Sequence, residues 1–262
     1  MEKKEVYLVS ALDSLGVPYT MDNQDSKSFI DLLADTYIEK GYDVSYVNLC
    51  SLGRNKTWEL IDILEKDYSK GEYYKKNKRY AQIVIDRKTR FKHPVNPGFL
   101  DRYYDNVPDP EIKITTKLKE SENPIFIYTC GGMNFDYYSK MPSCDIREIL
   151  PQMLFHLKEN LNKTMSDIKN CVKYISDLNE NIVVYVLGVY PMIENKWLRK
   201  LSEPLYTYYN KQVKIMCDKF ENVYYVDIFD TKNYIAPQDE HPTFEGQQYM
   251  TKQIIKTIGR NI

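Results

Sequence analysis

Apolar residues follow two alternating patterns along this chain, and the first is a set of short continuous runs. Runs of this length without polar interruption are typical of β-strands that are covered on both faces, as in parallel sheets. Five such strands are predicted, at Val6–Ser10, Val44–Leu49, Pro124–Thr129, Ile182–Leu187 and Val223–Ile228. Strands of this kind require helices to cover them.

The second pattern supplies those helices, because between the runs the apolar residues fall three or four positions apart. Helices are predicted over residues 29–37, 58–64, 145–178 with a break at Pro151, 197–220 with an irregularity at Pro204, and 245–258. Asp25 or Ser26 is predicted to cap the first helix, and Gly41 to end it in the left-handed conformation. The alternation predicts an α/β protein, a three-layer α/β/α sandwich with a five-stranded parallel sheet, as a single domain over residues 1–262.

One segment does not fit the alternation and is predicted to be an insertion at about residues 70–123. Lysine and arginine outnumber acids from Lys70 to Lys92, and Tyr73, Tyr74 and Tyr80 are interleaved with them. A basic, aromatic segment could bind nucleic acid or an anionic substrate. The alternative interpretation is a solvated cap or lid over a site in the core.

Composition narrows the class of protein. The formal net charge of the 262-residue chain is −1, which argues against a general polyanion binder and predicts no nucleic-acid partner. No apolar run approaches 18 residues, so no membrane insertion is predicted, and the apolar run near the N-terminus is too short for a signal peptide. The five cysteines are scattered without metal-ligand spacing, which predicts buried thiols, no metal site and a cytoplasmic protein.

Chemically useful residues follow the predicted strands directly. Asp13 and Ser14 follow the first strand, Gly53 the second, Gly132-Met133-Asn134 the third, and His241 the fifth. Because the carboxyl ends of parallel strands meet at one edge of the sheet, these residues are expected to gather there. A serine, a histidine and amide donors are the components of serine acyl transfer.

In these four blocks the sequence resembles the SGNH (GDSL-type) serine esterases and lipases. The resemblance implies a flavodoxin-like strand order. It also implies that Ser14 is the nucleophile and His241 the general base. The oxyanion hole would be formed by the N–H groups of Ser14 and Gly53 and by the side-chain amide of Asn134.

The blocks differ from the family pattern at three places, and at one of them Phe135 follows Asn134 where the family has an aspartate, which is displaced here to Asp136. The first block of the family begins with glycine, and this chain has Leu12, which predicts a less tight turn at the nucleophile. The acid of the family lies three residues before the histidine, where this chain has Gln238. Asp239 is therefore the predicted acid, and Glu240 or a backbone carbonyl are the alternatives.

The implied mechanism is a double displacement through an acyl-enzyme intermediate, and it requires neither a metal nor an organic cofactor. The predicted substrate is a small-molecule acyl ester. Tyr137 and Tyr190 follow the third and fourth strands, so they are candidates for substrate binding, with simple packing as the alternative.

Other classes of enzyme are excluded by position or by missing motifs. A nucleophile on the first strand does not fit the α/β-hydrolase order, and neither a Gly-x-Gly-x-x-Gly motif after that strand nor a Walker loop is present. Two alternatives to a hydrolase stay open. One is an acyltransferase, and the other is a catalytically altered protein of the same fold that binds a carbohydrate or a protein partner.

Overall fold

The protein is described here from a computed structural model that covers residues 3–16, 27–50, 57–65, 114–129, 157–192, 195–235 and 241–259. Five strands form one sheet in the order β2-β1-β3-β4-β5, and every neighbouring pair is parallel. The strands are β1 Glu5–Leu12, β2 Asp43–Cys50, β3 Pro124–Thr129, β4 Val183–Leu187 and β5 Val223–Val226. This is the predicted flavodoxin-like order, and all five predicted strands are confirmed.

Helices cover both faces of the sheet. They are α1 Phe29–Glu39, α2 Leu60–Glu65, α3 Ile114–Glu120, α4 Leu157–Ser176, α5 Lys196–Cys217 and α6 Phe244–Ile258. Short 3-10 turns lie at Ser14–Gly16, Thr57–Glu59 and Phe229–Tyr234. Helix α5 continues through Pro204. Within the described part of the chain, no helix is long and apolar enough to cross a membrane.

Alternate residues of strand β1 enter two separate cores, as the pleat of a strand requires. Val6 and Leu8 belong to a core with residues of α1 and α6, whereas Tyr7 and Val9 belong to a core with residues of α2, α3, α4 and α5. These side chains are at most 2% exposed. The predicted three-layer sandwich is therefore confirmed, and its double burial explains why the strands appear as continuous apolar runs.

The ends of α1 are set by local chemistry. Ser28 is the N-cap, and it forms a capping box in which the Ser28 backbone N–H donates to the Asp31 carboxylate at 2.7 Å. The predicted cap at Asp25 or Ser26 was wrong, because the helix begins at Phe29 and those residues precede its first turn. Gly41 follows the helix with a φ of +88°, as predicted.

Helix α3 lies within the range predicted as an insertion, at residues 70–123. Leu118 of α3 is fully buried in the core on the α2–α5 face. The Asn179 side chain donates hydrogen bonds to the carbonyls of Leu118 and Ser121, both at 2.9 Å. The end of the range is thus integrated into the sandwich. The basic segment Lys70–Lys92 lies outside the described residues.

Candidate active site

The structure brings together two residues that are 227 positions apart in the sequence. The Ser14 Oγ and the His241 Nε2 are separated by 2.8 Å, which is hydrogen-bonding distance. Ser14 is partly buried and His241 is 3% exposed. Ser14 begins the 3-10 turn after β1, and His241 precedes α6, so both lie at the carboxyl edge of the sheet. This is the edge at which the sequence predicted the site.

The backbone around His241 is fixed by short-range contacts with the preceding segment. Pro242 pairs with Ile235 in an isolated antiparallel bridge, and the Thr243 N–H donates to the Tyr234 carbonyl at 2.7 Å. Thr243 is also the N-cap of α6, since its hydroxyl accepts from the Gly246 N–H at 3.3 Å. The histidine is therefore held between a bridge and the first turn of a helix.

The turn that presents Ser14 contains a strained residue. Leu12 has a φ of +124°, a conformation that favours glycine and that leucine rarely adopts. Such strain costs about 1–3 kcal/mol. The Leu12 side chain is fully buried in the core, and that burial contributes about 1.5–3 kcal/mol, which offsets the strain.

Polar side chains from three different elements contact the backbone of the turn. The Thr129 hydroxyl, at the end of β3, accepts from the Asp13 N–H at 3.0 Å and donates to the Ala11 carbonyl at 2.9 Å. The Gln247 side chain of α6 donates to the Leu15 carbonyl at 3.0 Å, and the Asn48 side chain of β2 donates to the Gly16 carbonyl at 2.8 Å.

Thr129 and Gln247 were missed by sequence reasoning. Both contact backbone atoms, and no motif marks such contacts. A usable signal existed in each case: Thr129 ends an otherwise apolar strand, and Gln247 lies on the buried face of α6, three and four positions before the buried Met250 and Thr251. A buried polar side chain in an apolar position requires a partner.

Cys50 is a further potential nucleophile near the turn. Its Sγ lies 3.8 Å from the Thr129 hydroxyl, and it is 2% exposed. Burial, reinforced by the negative charge of Asp13, raises the pKa of the Cys50 thiol to about 12. The thiolate is the reactive form of cysteine, so this thiol is inert at neutral pH.

Of the other predicted site residues, Tyr190 lies in the part of the chain that the structure describes and the rest lie outside it. Tyr190 is fully buried and packs in the core on the α1 and α6 face together with Leu15, so it occupies a core position. Five predicted or alternative site residues lie outside the described part of the chain: Gly53, Asn134, Tyr137, Asp239 and Glu240. Within the described residues there is no cluster of side chains that could hold a metal ion.

The parallel sheet in the order β2-β1-β3-β4-β5, covered by helices on both faces, is the fold that the resemblance to the SGNH (GDSL-type) hydrolases implied, and solved esterases and lipases share this fold. Three solved structures illustrate the likeness.

The first is the lipase Lip_vut3 from a goat rumen metagenome, with a TM-score of 0.57, 12% identity and 97% of each chain covered. The second is an extracellular lipase from Streptomyces rimosus, with a TM-score of 0.59, 10% identity and coverage of 97% of this chain and 99% of that one. The third is a variant of the acetyl-xylooligosaccharide esterase Axe2 from Geobacillus, with a TM-score of 0.53, 12% identity and coverage of 98% and 94%. No protein-family model matches the sequence, and no curated protein matches it at a significant level.

Proposed function

We propose that this protein is a GDSL-type serine esterase that cleaves carboxylic acyl esters through an acyl-enzyme intermediate. The observation that carries the proposal is the 2.8 Å contact between the Ser14 Oγ and the His241 Nε2 at the carboxyl edge of the sheet. A serine within hydrogen-bonding distance of a histidine nitrogen is the arrangement of an activated nucleophile and its base. The esterases and lipases that share the fold support the same class of reaction.

In the first half of the reaction, Nε2 of His241 takes the hydroxyl proton of Ser14 as the Oγ attacks the acyl carbon. The carbonyl oxygen becomes an oxyanion, for which Ser14, Gly53 and Asn134 are the proposed donors. The intermediate collapses, the C–O bond to the alcohol breaks, and His241 gives its proton to the departing alcohol. Water then attacks the acyl-enzyme with His241 again acting as the base, and the acid is released.

His241 needs an acceptor for its second ring nitrogen in this mechanism, because Nδ1 must carry the proton while Nε2 accepts one. Asp239 is the proposed acceptor, and Glu240 or a backbone carbonyl is the alternative. Asp239 precedes the histidine by two residues and Glu240 by one, so both carboxylates are near it in the sequence.

The proposed substrate is a small acyl ester in the cytoplasm. Among the proteins with this fold, Axe2 is an acetyl-xylooligosaccharide esterase and two others are lipases. In Axe2, replacement of a serine by alanine gives a catalytic mutant. Short acyl groups on a small alcohol are therefore the first substrates to examine.

The test is hydrolysis of p-nitrophenyl acetate and butyrate by the wild type, Ser14→Ala and His241→Ala. We expect both variants to fall to the background rate, because one lacks the nucleophile and the other lacks the base. Ser202→Ala is the matched control, since Ser202 lies on α5 and its hydroxyl donates to the Arg199 carbonyl. The proposal is wrong if wild type and Ser14→Ala are equally active and a fluorophosphonate probe labels neither.

The same ester-hydrolysis assay identifies the carboxylate that accepts from Nδ1 of His241. Asp239→Asn is expected to lower kcat by about 10⁴-fold, which is the effect of losing the orienting carboxylate in a serine triad. Glu240→Gln is the matched comparison and is expected to retain most of the activity. A large loss in Glu240→Gln with a small loss in Asp239→Asn would assign the role to Glu240.

A further inference from the structure

We infer that Thr129 is a positioning residue for the nucleophile: its hydroxyl holds the strained turn at Leu12 in the conformation that aims Ser14 at His241. The inference rests on the proposed function for its kinetic consequences, because a nucleophile must exist for its position to matter. That Thr129 holds the turn follows from the contacts of its hydroxyl and does not depend on the proposed function.

The Thr129 hydroxyl bonds to the backbone on both sides of Leu12. It donates its single hydrogen to the Ala11 carbonyl at 2.9 Å and accepts from the Asp13 N–H at 3.0 Å. Thr129 is fully buried, so water does not compete for either bond. Leu12 is thus bracketed by two hydrogen bonds to the same oxygen.

Support from β3 is needed at this point because regular pairing on that side ends just before Leu12. The last paired residues of β1 and β3 are Ala11 and Tyr128, whereas pairing with β2 continues to Leu12 and Cys50. Beyond Ala11, backbone pairing between β1 and β3 has ended, and the Thr129 side chain contacts the β1 backbone in its place. A strained residue persists only when its surroundings hold it, and Thr129 supplies that restraint at Leu12, which has a φ of +124°.

The position of Ser14 depends directly on this restraint, because Ser14 is only two residues beyond Leu12. Relaxation of Leu12 toward an ordinary negative φ would rotate the following peptides and move the Ser14 Oγ away from the His241 Nε2, now 2.8 Å distant. Acyl transfer is sensitive to such movement, since a displacement of about 1 Å can cost about 10²-fold in rate.

The kinetic test compares two variants of Thr129, one without the hydroxyl and one with it. Thr129→Val keeps the shape and removes the hydroxyl, and Thr129→Ser keeps the hydroxyl and removes the methyl group. We expect Thr129→Val to lower kcat and the rate of fluorophosphonate labelling by about 10²-fold with KM nearly unchanged. Thr129→Ser is expected to restore most of the loss, and equal impairment of the two variants would contradict the inference.

If Thr129→Val does not fold, Thr129→Ala and Thr129→Ser form the second pair, which differs only by the hydroxyl. A purely structural role for the hydroxyl would lower the melting temperature and leave kcat of the folded fraction at the wild-type value. That result, in either pair, would overturn the positioning role.

Crystal structures of the hydroxyl-free and Thr129→Ser variants test the inference without any activity. We expect Leu12 to lose its positive φ and the Ser14–His241 contact to open beyond hydrogen-bonding distance when the hydroxyl is absent, and both to persist in Thr129→Ser. An unchanged turn without the hydroxyl would contradict the inference. If the wild type hydrolyses no ester, the proposed function fails, and these structures still decide whether Thr129 holds the turn.

Discussion

At the scale of single residues, the proposed site depends on close approaches that leave no space for an added methyl group. A Cβ on Gly246 would lie 2.7 Å from the Pro242 Cβ and 3.0 Å from the Tyr234 carbonyl oxygen. Pro242 is the neighbour of His241, so crowding at Gly246 is transmitted to the histidine. The glycine is therefore required by packing against the segment that carries the proposed base.

Gly246→Ala is expected to lower kcat by about 10- to 100-fold, because Pro242 must shift and His241 with it. Alanine favours a helix over glycine by about 1 kcal/mol, but overpacking costs about 1–3 kcal/mol, so stability should also fall. The measurements are steady-state kinetics and thermal unfolding.

Gly259→Ala is the matched control, since a Cβ on Gly259 would make an ordinary contact, 3.5 Å from the Ile255 carbonyl oxygen. It is expected to leave kcat unchanged. Equal kinetics in the two alanine variants would show that His241 does not depend on the packing of Gly246.

Ser14 and His241 could be predicted from the sequence because each stands near the end of a strand or the start of a helix, where position follows from topology. For Thr129 and Gln247 the sequence signals only that a buried polar side chain needs a partner, and the partners themselves could not be predicted, because they are backbone atoms 116 and 232 residues away that only the fold brings near. The positive φ of Leu12 was also not predictable, since leucine rarely adopts it.

At the scale of elements, Gln247 joins three parts of the fold. Its side chain donates to the Leu15 carbonyl at 3.0 Å and accepts from the Phe29 N–H at 2.9 Å, and it is fully buried. Phe29 is the first residue of α1, whose N–H has no partner within the helix. One amide of α6 therefore holds both the turn that contains Ser14 and the start of α1.

Gln247→Leu is expected to destabilise the protein by about 2–5 kcal/mol, because it leaves a buried carbonyl and a buried N–H without this partner. Gln248→Leu is the matched control on the exposed side of the same helix, and it should change stability by less than about 0.5 kcal/mol. Urea unfolding measures both. Similar unfolding midpoints for the two variants would mean that water or another group replaces the Gln247 amide.

The elements themselves were predictable to different degrees. All five strands were located because burial on two faces makes each a continuous apolar run. The cap of α1 was misplaced by two or three residues because Ser26 and Ser28 are both good caps, and only the reciprocal bond with Asp31 selects Ser28. Helix α3 was missed because it is short and follows a segment of unusual composition.

At the scale of the whole molecule, buried thiols make stability depend on pH. Burial is the largest cause that raises the pKa of Cys50, Cys171 and Cys217 from 9.0 to about 12 in each case. Above pH 9 the unfolded chain releases these protons while the folded protein retains them. The unfolded state then binds fewer protons, so the free energy of unfolding falls as the pH rises.

We expect the free energy of unfolding to fall by about 1 kcal/mol for each of these thiols between pH 8 and pH 10. Urea unfolding in the presence of a reductant measures the change. Cys217→Ala removes one of the titrating groups and should give a shallower decline than the wild type. A flat profile between these pH values would contradict the burial of the thiols.

The separation of 227 positions between Ser14 and His241 also means that the ribosome makes the two members of the proposed catalytic pair at different times. At a translation rate of about 5–20 residues per second, the ribosome makes the histidine roughly 10 to 45 s after the serine. During that interval the nascent chain carries the proposed nucleophile without its proposed base. On the proposed function, a chain in synthesis is therefore expected to hydrolyse no ester before His241 has been made and the sheet has brought it to Ser14.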